Sequence, residues 1–368
     1  MSHIKLIVLF LLFPVQIFSQ IFQESYFTGN DSLRLEKHLN LHITGATFFN
    51  NNEYFNPYQE GYTLIGGFLQ PELVYSVNKK LSLTAGLHIK KYYGNEGFAD
   101  AEPMFSICYR ASDALNIVMG SFGGGQNHLL PETMLEFENH FSNLVENGIL
   151  LTLDKNFLKS RLWLDWEKFI EPGDPFNEEF TAGITNVLKI FNAGKFSMEI
   201  PLYVLAHHSG GQININNAGV STYYNFAEGV RLFKPAHDDI RGIYPFAELL
   251  IHQSTGDYSV GTGYAVQFTG GVKTRSFELN GGYFHGDDFA SFYGHPLFHS
   301  YTDDQSPGII PGGSNDVITF KAGYRAKLST TSFLFLRFEG YYNPGIKKFD
   351  YTYGLHMQVN EFIKIKKF

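Results

Sequence analysis

Between Asp350 and Phe368 apolar and polar residues alternate. Tyr351, Tyr353, Leu355, Met357 and Val359 hold one parity, and Thr352, Gly354, His356, Gln358 and Asn360 the other. A period of two sends successive side chains to opposite faces of a strand. The segment therefore predicts a strand with one apolar and one polar face. The pattern recurs upstream. Phe196, Met198, Ile200, Leu202, Val204 and Ala206 oppose Ser197, Glu199, Tyr203, His207 and Ser209. Leu158, Leu162, Leu164 and Trp166 oppose Lys159, Arg161, Trp163, Asp165, Glu167 and Glu171, while Ile318, Phe320, Ala322, Tyr324 and Leu328 oppose Thr319, Lys321, Arg325 and Lys327. With the turn residues, alternation divides the chain into about 16 strands. They fall near 40–50, 63–77, 80–92, 102–111, 114–122, 146–155, 158–170, 179–190, 195–210, 219–233, 240–253, 258–274, 276–286, 316–328, 332–342 and 349–367.

The connections carry a second signal. Every other one is tight: Asn78-Lys79-Lys80, Ser112-Asp113, Asn156-Phe157, Asn192-Ala193-Gly194, Lys273-Thr274-Arg275 and Ser329-Thr330-Thr331. Those between are mostly longer, at 50–62, 94–101, 123–145, 211–218 and 287–315. Short periplasmic turns alternating with long extracellular loops characterise an antiparallel barrel in the bacterial outer membrane, with both termini on the periplasmic side. In that setting the apolar faces meet lipid. The charged faces would cost about 2–4 kcal/mol per Lys or Arg at the bilayer midplane and must turn inward. The predicted fold is all-β, a single transmembrane barrel spanning residues 20–368.

Composition agrees. Aromatic residues reach 16% with 36 Phe and 22 Tyr. Charged residues are 17%, against about 25% in soluble domains. A net charge of −8 argues against a nucleic-acid partner. The single cysteine, Cys108, excludes an intramolecular disulfide and a cysteine-based zinc site. Lys5 followed by the apolar run Leu6–Phe13, with Ser19 as a small residue for cleavage, predicts a signal peptide over 1–19. A terminal strand ending on Phe368 resembles the strand by which outer-membrane barrels are recognised during assembly.

The connection at 123–145 would be the third extracellular loop. It opens on Gly123-Gly124-Gly125, and Leu130, Met134, Phe137, Phe141 and Leu144 recur at helical spacing after Pro131. In strand number, loop parity and this partly helical loop the chain resembles the 16-stranded general porins, whose third loop narrows the barrel. The resemblance is architectural and rests on no porin sequence motif. It implies passive passage of small hydrophilic solutes through a constriction in which Glu132, Glu136 and Glu138 face wall cations such as Arg161, Lys321, Arg325 or Arg337. Opposed charges of this kind set solute preference. Trp163 beside Asp165 and Glu167 suits sugars, because the ring covers a pyranose face while the carboxylates accept its hydroxyls.

A different chemistry is carried by His207-His208-Ser209-Gly210-Gly211. It resembles the His-x-Ser element of outer-membrane phospholipase A and of lipid A deacylases. The resemblance implies His207 as base and Ser209 as nucleophile, acting on membrane lipid. If the hairpin turns near Ile215, Asn225 becomes a diagonal neighbour able to orient His207. The chain departs from those families in its Gly-Gly after the serine and in its larger barrel. His207 and Ser209 also share a face with the lumen residue Glu199. Catalysis is therefore the less favoured alternative, and a plugged structural or partner-binding barrel is a third. His285, Asp287, Asp288, His295 and His299 show no diagnostic metal-ligand spacing, and no metal or cofactor is expected.

Overall fold

The computed structural model describes residues 36–124, 127–192, 196–211, 213, 219–234, 242–302 and 306–368. The expected signal peptide at 1–19 lies outside the described residues. Sixteen antiparallel strands follow one another around a closed barrel. They are β1 (His38–Glu53), β2 (Tyr62–Ser76), β3 (Leu81–Tyr92), β4 (Asp100–Arg110), β5 (Leu115–Gly123), β6 (Val145–Lys155), β7 (Leu158–Lys168), β8 (Glu179–Asn192), β9 (Ser197–Ser209), β10 (Ser221–Phe233), β11 (Tyr244–Gly256), β12 (Gly263–Lys273), β13 (Phe277–Asp287), β14 (Ser314–Lys327), β15 (Ser332–Asn343) and β16 (Lys348–Lys367). The barrel closes where β16 runs antiparallel to β1, from His38 beside Lys367 to Glu53 beside Tyr351. The Phe368 amide extends that seam by donating to the Lys37 carbonyl at 2.8 Å.

Alternation sorts the side chains as expected. Phe105, Ile107, Ile251, Phe268, Phe320, Leu355 and Met357 are exposed on the outer wall, whereas Lys321, Arg231, Glu248, Arg337, Thr352, His356 and Gln358 are buried inside. Short turns at 77–80, 111–114, 156–157, 274–276 and 328–331 share one rim with both ends of the barrel. The opposite rim carries the long loops at 124–144, 169–178 and 288–313. Among the fully described connections one breaks the length rule, the short turn at 344–347 on the second rim. β12 begins at Gly263, later than the alternation suggests, because the chain turns at Gly261 with φ of 83°.

The lumen is filled by loops. The third (124–144) and seventh (288–313) fold inward and bury Leu130, Met134, Phe137 and Phe141 from one, and Phe289, Leu297 and Phe298 from the other. Residues Asn139–Ser142 make a single helical turn, and Pro296–Phe298 a 3-10 turn. Leu130, Met134 and Leu135 pack on the wall residues Leu150, Trp163, Tyr203, Leu205 and Leu250. Phe137, Phe141 and Leu144 pack on Phe48 and Phe68. Each such burial is worth roughly 1.5–3 kcal/mol over exposure. The two loops also bond to each other. Glu136 N–H donates to Tyr293 O at 2.7 Å, and His295 N–H to Glu132 O at 3.0 Å.

Two outcomes are expected of this architecture. The protein folded in detergent should migrate differently in gels before and after boiling. Phe268, at the middle of lipid-facing β12, should be sensitive to charge: Phe268→Arg should lower unfolding stability in lipid by about 2–4 kcal/mol. Denaturant titration of tryptophan fluorescence measures the change, and an unaltered midpoint would count against the assigned lipid face.

Candidate functional site

The third loop carries its acids to the wall. The Lys321 ammonium donates to Glu132. The Tyr341 hydroxyl lies 2.7 Å from Glu132 and 2.8 Å from Glu339. Arg337 pairs with Glu339 on its own strand and places its guanidinium 3.1 Å above the Phe137 ring centre. Glu138 accepts from the Tyr62 hydroxyl at 2.6 Å. Glu136 lies 3.7 Å from His295 of the seventh loop. Arg161 and Arg325 stand elsewhere, near the short-turn rim. Arg161 pairs with Asp154 at 2.9 Å, and Arg325 stacks on the Phe333 ring at 3.9 Å.

His295 shows how tightly the loops are wired to the wall. Burial, and after it the nearby Lys321, push the imidazole down to about 3. The ring is thus neutral at physiological pH. Its Nδ1 accepts from Leu297 N–H at 3.2 Å, so Nε2 carries the proton and donates to the Tyr54 hydroxyl at 3.1 Å. Tyr54 then lies 3.0 Å from Thr352, which donates to Asn52 at 2.9 Å. Buried polar atoms are mostly paired in this way, and here the chain of bonds runs from loop to wall.

A second cluster joins Trp163, Asp165 and Glu167 to residues that periodicity did not single out. His128, from the third loop, stacks on the Trp163 ring at 3.9 Å and places Nε2 2.7 Å from Glu146. Gly183 makes room for that tryptophan, since a Cβ there would overlap the indole. Asp165 accepts from Asn147 N–H at 2.7 Å. Glu167 accepts from the Tyr293 hydroxyl at 2.6 Å and from Thr181. His128, Glu146, Trp163, Asp165, Glu167 and Tyr293 help line a cavity of about 20 Å³, room for about one water molecule. No pattern in the sequence marked His128, Glu146 or Tyr293 for this cluster, because they come from separate segments that only the docked loops bring together.

His207 belongs to this cluster too. Thr181 spends its proton on Glu167, so it accepts from His207 Nδ1 at 3.0 Å. The ring stacks on Phe292 at 3.6 Å. Ser209, at the end of β9, instead accepts from the Asn177 amide at 3.3 Å. Asn225 sits diagonally from His207, with Tyr223 the direct partner. Its side chain donates to Ala290 O and accepts from the Tyr258 hydroxyl, both at 2.7 Å. Among the described residues no hydrogen bond joins His207 to Ser209 or Asn225. On the lipid side of the same strands the structure pairs His208 with Thr222 at 2.8 Å. Strand alternation placed His208 there, but its hydroxyl partner comes from β10 and only register reveals it. No group of three or more His, Cys, Asp or Glu among the described residues is arranged to hold a metal ion.

The acid cluster makes loop docking pH-dependent. Burial, followed by Glu138, Glu132 and Glu339, holds Glu136 well above its ordinary 4.5. Its docked form keeps a proton that the released loop gives up, so docking is strongest below about 4.5 and weakens as pH rises above it. His295 is neutral and offers no countercharge, while Arg337 is engaged by Glu339. Limited proteolysis within residues 128–142 should therefore accelerate from pH 5 to pH 8 in the folded barrel. Glu136→Gln should flatten that dependence; an unchanged slope in the variant would remove Glu136 from the explanation.

Comparison with known proteins adds family and fold. No curated protein matches the sequence. Three Pseudomonas aeruginosa structures share the barrel. OpdL is 11% identical with a TM-score of 0.53, covering 89% of this chain and 99% of its own. The outer membrane protein OpdK is 9% identical with a TM-score of 0.52, covering 89% and 99%. The outer membrane protein OprD is 8% identical with a TM-score of 0.52, covering 90% and 95%. At such identities the likeness speaks for the outer-membrane barrel fold alone. The sequence itself matches the family model for proteins of the lipid A 3'-O-deacylase type over residues 28–368. That span takes in every strand of the barrel, and the chain belongs to the lipid A 3'-O-deacylase-type family.

Proposed function

We propose that this barrel is an outer-membrane hydrolase that removes an ester-linked acyl chain from lipid A or a closely related glycolipid. The observation that carries the reading is the family match over the whole barrel, joined to a lumen occupied by the third and seventh loops. A filled lumen makes the outer wall and its rim the surface that meets substrate. Acyl esters of a membrane lipid lie at the boundary between hydrocarbon and polar headgroup, at the depth where barrels carry their aromatic girdles. Purified protein incubated with lipid A in mixed micelles should release free fatty acid and a lipid A species lighter by one acyl chain, read by mass spectrometry. Release of neither product from lipid A or phospholipid would end the hydrolase reading.

A second reading, passage of small hydrophilic solutes including sugars, is favoured by one observation. Glu132 of the loop meets Lys321 of the wall, and Glu138 lines a cavity together with Arg337, which sets loop acids against wall cations in a transverse field. Such a field favours dipolar solutes and sorts ions weakly. Passage would require the third loop to leave its seat. In planar bilayers this reading expects conductance steps that widen once residues 128–142 are deleted. Silence before and after deletion discards it.

A further inference from the structure

We propose that His208 and Thr222 form a lipid-facing ester-cleaving pair, with Thr222 Oγ1 as nucleophile and an acyl ester of an outer-leaflet lipid as substrate. The proposal rests on the hydrolase reading and assigns it a site. It begins with register. Thr222 on β10 stands directly beside His208 on β9, His208 beside Phe180 on β8, and Phe180 beside Trp166 on β7. Directly paired residues share a sheet face, so the four form one row near the long-loop rim. His207 and Tyr223, each one position over, point into the lumen against Phe292. The row therefore faces lipid. It places an imidazole and a hydroxyl together on the lipid side near the rim, at the depth of the acyl esters of the outer leaflet.

The hydrogen bonds give the imidazole the tautomer a general base needs. His208 Nε2 lies 2.8 Å from the carbonyl of Gly210. A carbonyl only accepts, so in the neutral ring Nε2 carries the proton. Nδ1 then holds a free lone pair 2.8 Å from Thr222 Oγ1, and the hydroxyl donates to it. Gly210 makes this possible. With φ of 116° the chain turns back on itself and presents its carbonyl to a ring two residues earlier. Thr222 is held from the other side. Its N–H donates to the Asp257 carboxylate at 2.7 Å, and Asp257 N–H donates to its carbonyl at 2.9 Å. Phe180 packs on the imidazole with ring centres 4.9 Å apart, and Trp166 stacks on Phe180 at 5.3 Å. Together they form an apolar shelf along which an acyl chain can lie.

The reaction balances with water as the only co-reactant. Thr222 Oγ1 bonds to the acyl carbon as its proton passes to His208 Nδ1. The bond from acyl carbon to the alcohol oxygen breaks, and that oxygen takes the proton from His208. Water then attacks the acyl-threonine, with His208 accepting its proton and returning one to Thr222 as the fatty acid leaves. Nucleophile and base within hydrogen-bond reach, with the base oriented by a third group, is the arrangement covalent ester hydrolysis requires.

The test uses the full-length barrel folded in detergent, with lipid A in mixed micelles and fatty acid release as readout. Thr222→Val keeps the side-chain shape and removes the hydroxyl, and should lower release by roughly 100-fold or more. Thr222→Ser should restore a measurable rate, and His208→Gln should fall with Thr222→Val. Heat-modifiable migration identifies variants that have folded. In the wild type, rapid quenching should trap a fatty acyl group on the peptide bearing Thr222, a signal that a merely structural threonine would not give. Wild-type rates in folded Thr222→Val overturn the pair while leaving the hydrolase reading intact. An inactive wild type overturns the hydrolase reading and this assignment with it.

Discussion

Hydrocarbon offers nothing to hydrogen-bond a peptide group. An N–H or C=O left open in the bilayer costs several kcal/mol, so strands can cross only as a sheet without edges. The pairing of β16 with β1 meets that requirement and organises everything else. Closure forces every strand to present one face to lipid and one to an enclosed interior, and the parity of two along each strand decides which residue goes where. A residue shifted by one would move Lys321, Arg231 or Glu248 into the bilayer, so the register is held by solvation as much as by the ladder.

The interior then poses a second problem, because a ring of strands this size cannot be filled by its own side chains. Here the third and seventh loops supply the packing. Their apolar residues cover Phe48, Leu150, Leu205 and Leu250, while their acids and histidines satisfy Lys321, Tyr54 and Tyr341. Backbone bonds between the loops bring Glu132 beside His295 and Glu136 beside Tyr293. The mixed-charge wall, which viewed alone suggests water, is in this structure the docking surface for loops. That exchange fills the interior with loop side chains and leaves the outer wall and rim as the exposed surface.

The same strand carries both surfaces. His207 turns inward to Thr181 and Phe292, and His208 turns outward to Thr222 and Phe180. Adjacent histidines thus occupy unrelated environments. His207 is fixed within a polar network that already consumes the available hydroxyl. His208 has a hydroxyl at its free nitrogen and apolar rings at its side, and belongs to the face that lipid touches.

Alternation, turn residues and aromatic content by themselves determined an all-β barrel, its strand number, the lipid and lumen faces and the rim that holds the long loops. These are local properties, set by a period of two and by the cost of charge in lipid. The sequence also placed Glu132, Glu136 and Glu138 together on one loop and His207 with Ser209 on one face. It could not say that Glu132 would meet Lys321, that Arg161 and Arg325 would find partners elsewhere, or that Ser209 would turn to Asn177. Such pairings depend on how a long loop packs and on which residues the register sets side by side. His128 against Glu146 and His208 against Thr222 are joined from different segments of the chain. Spacing along one strand carries no trace of them; only the closed, registered sheet and its docked loops decide them.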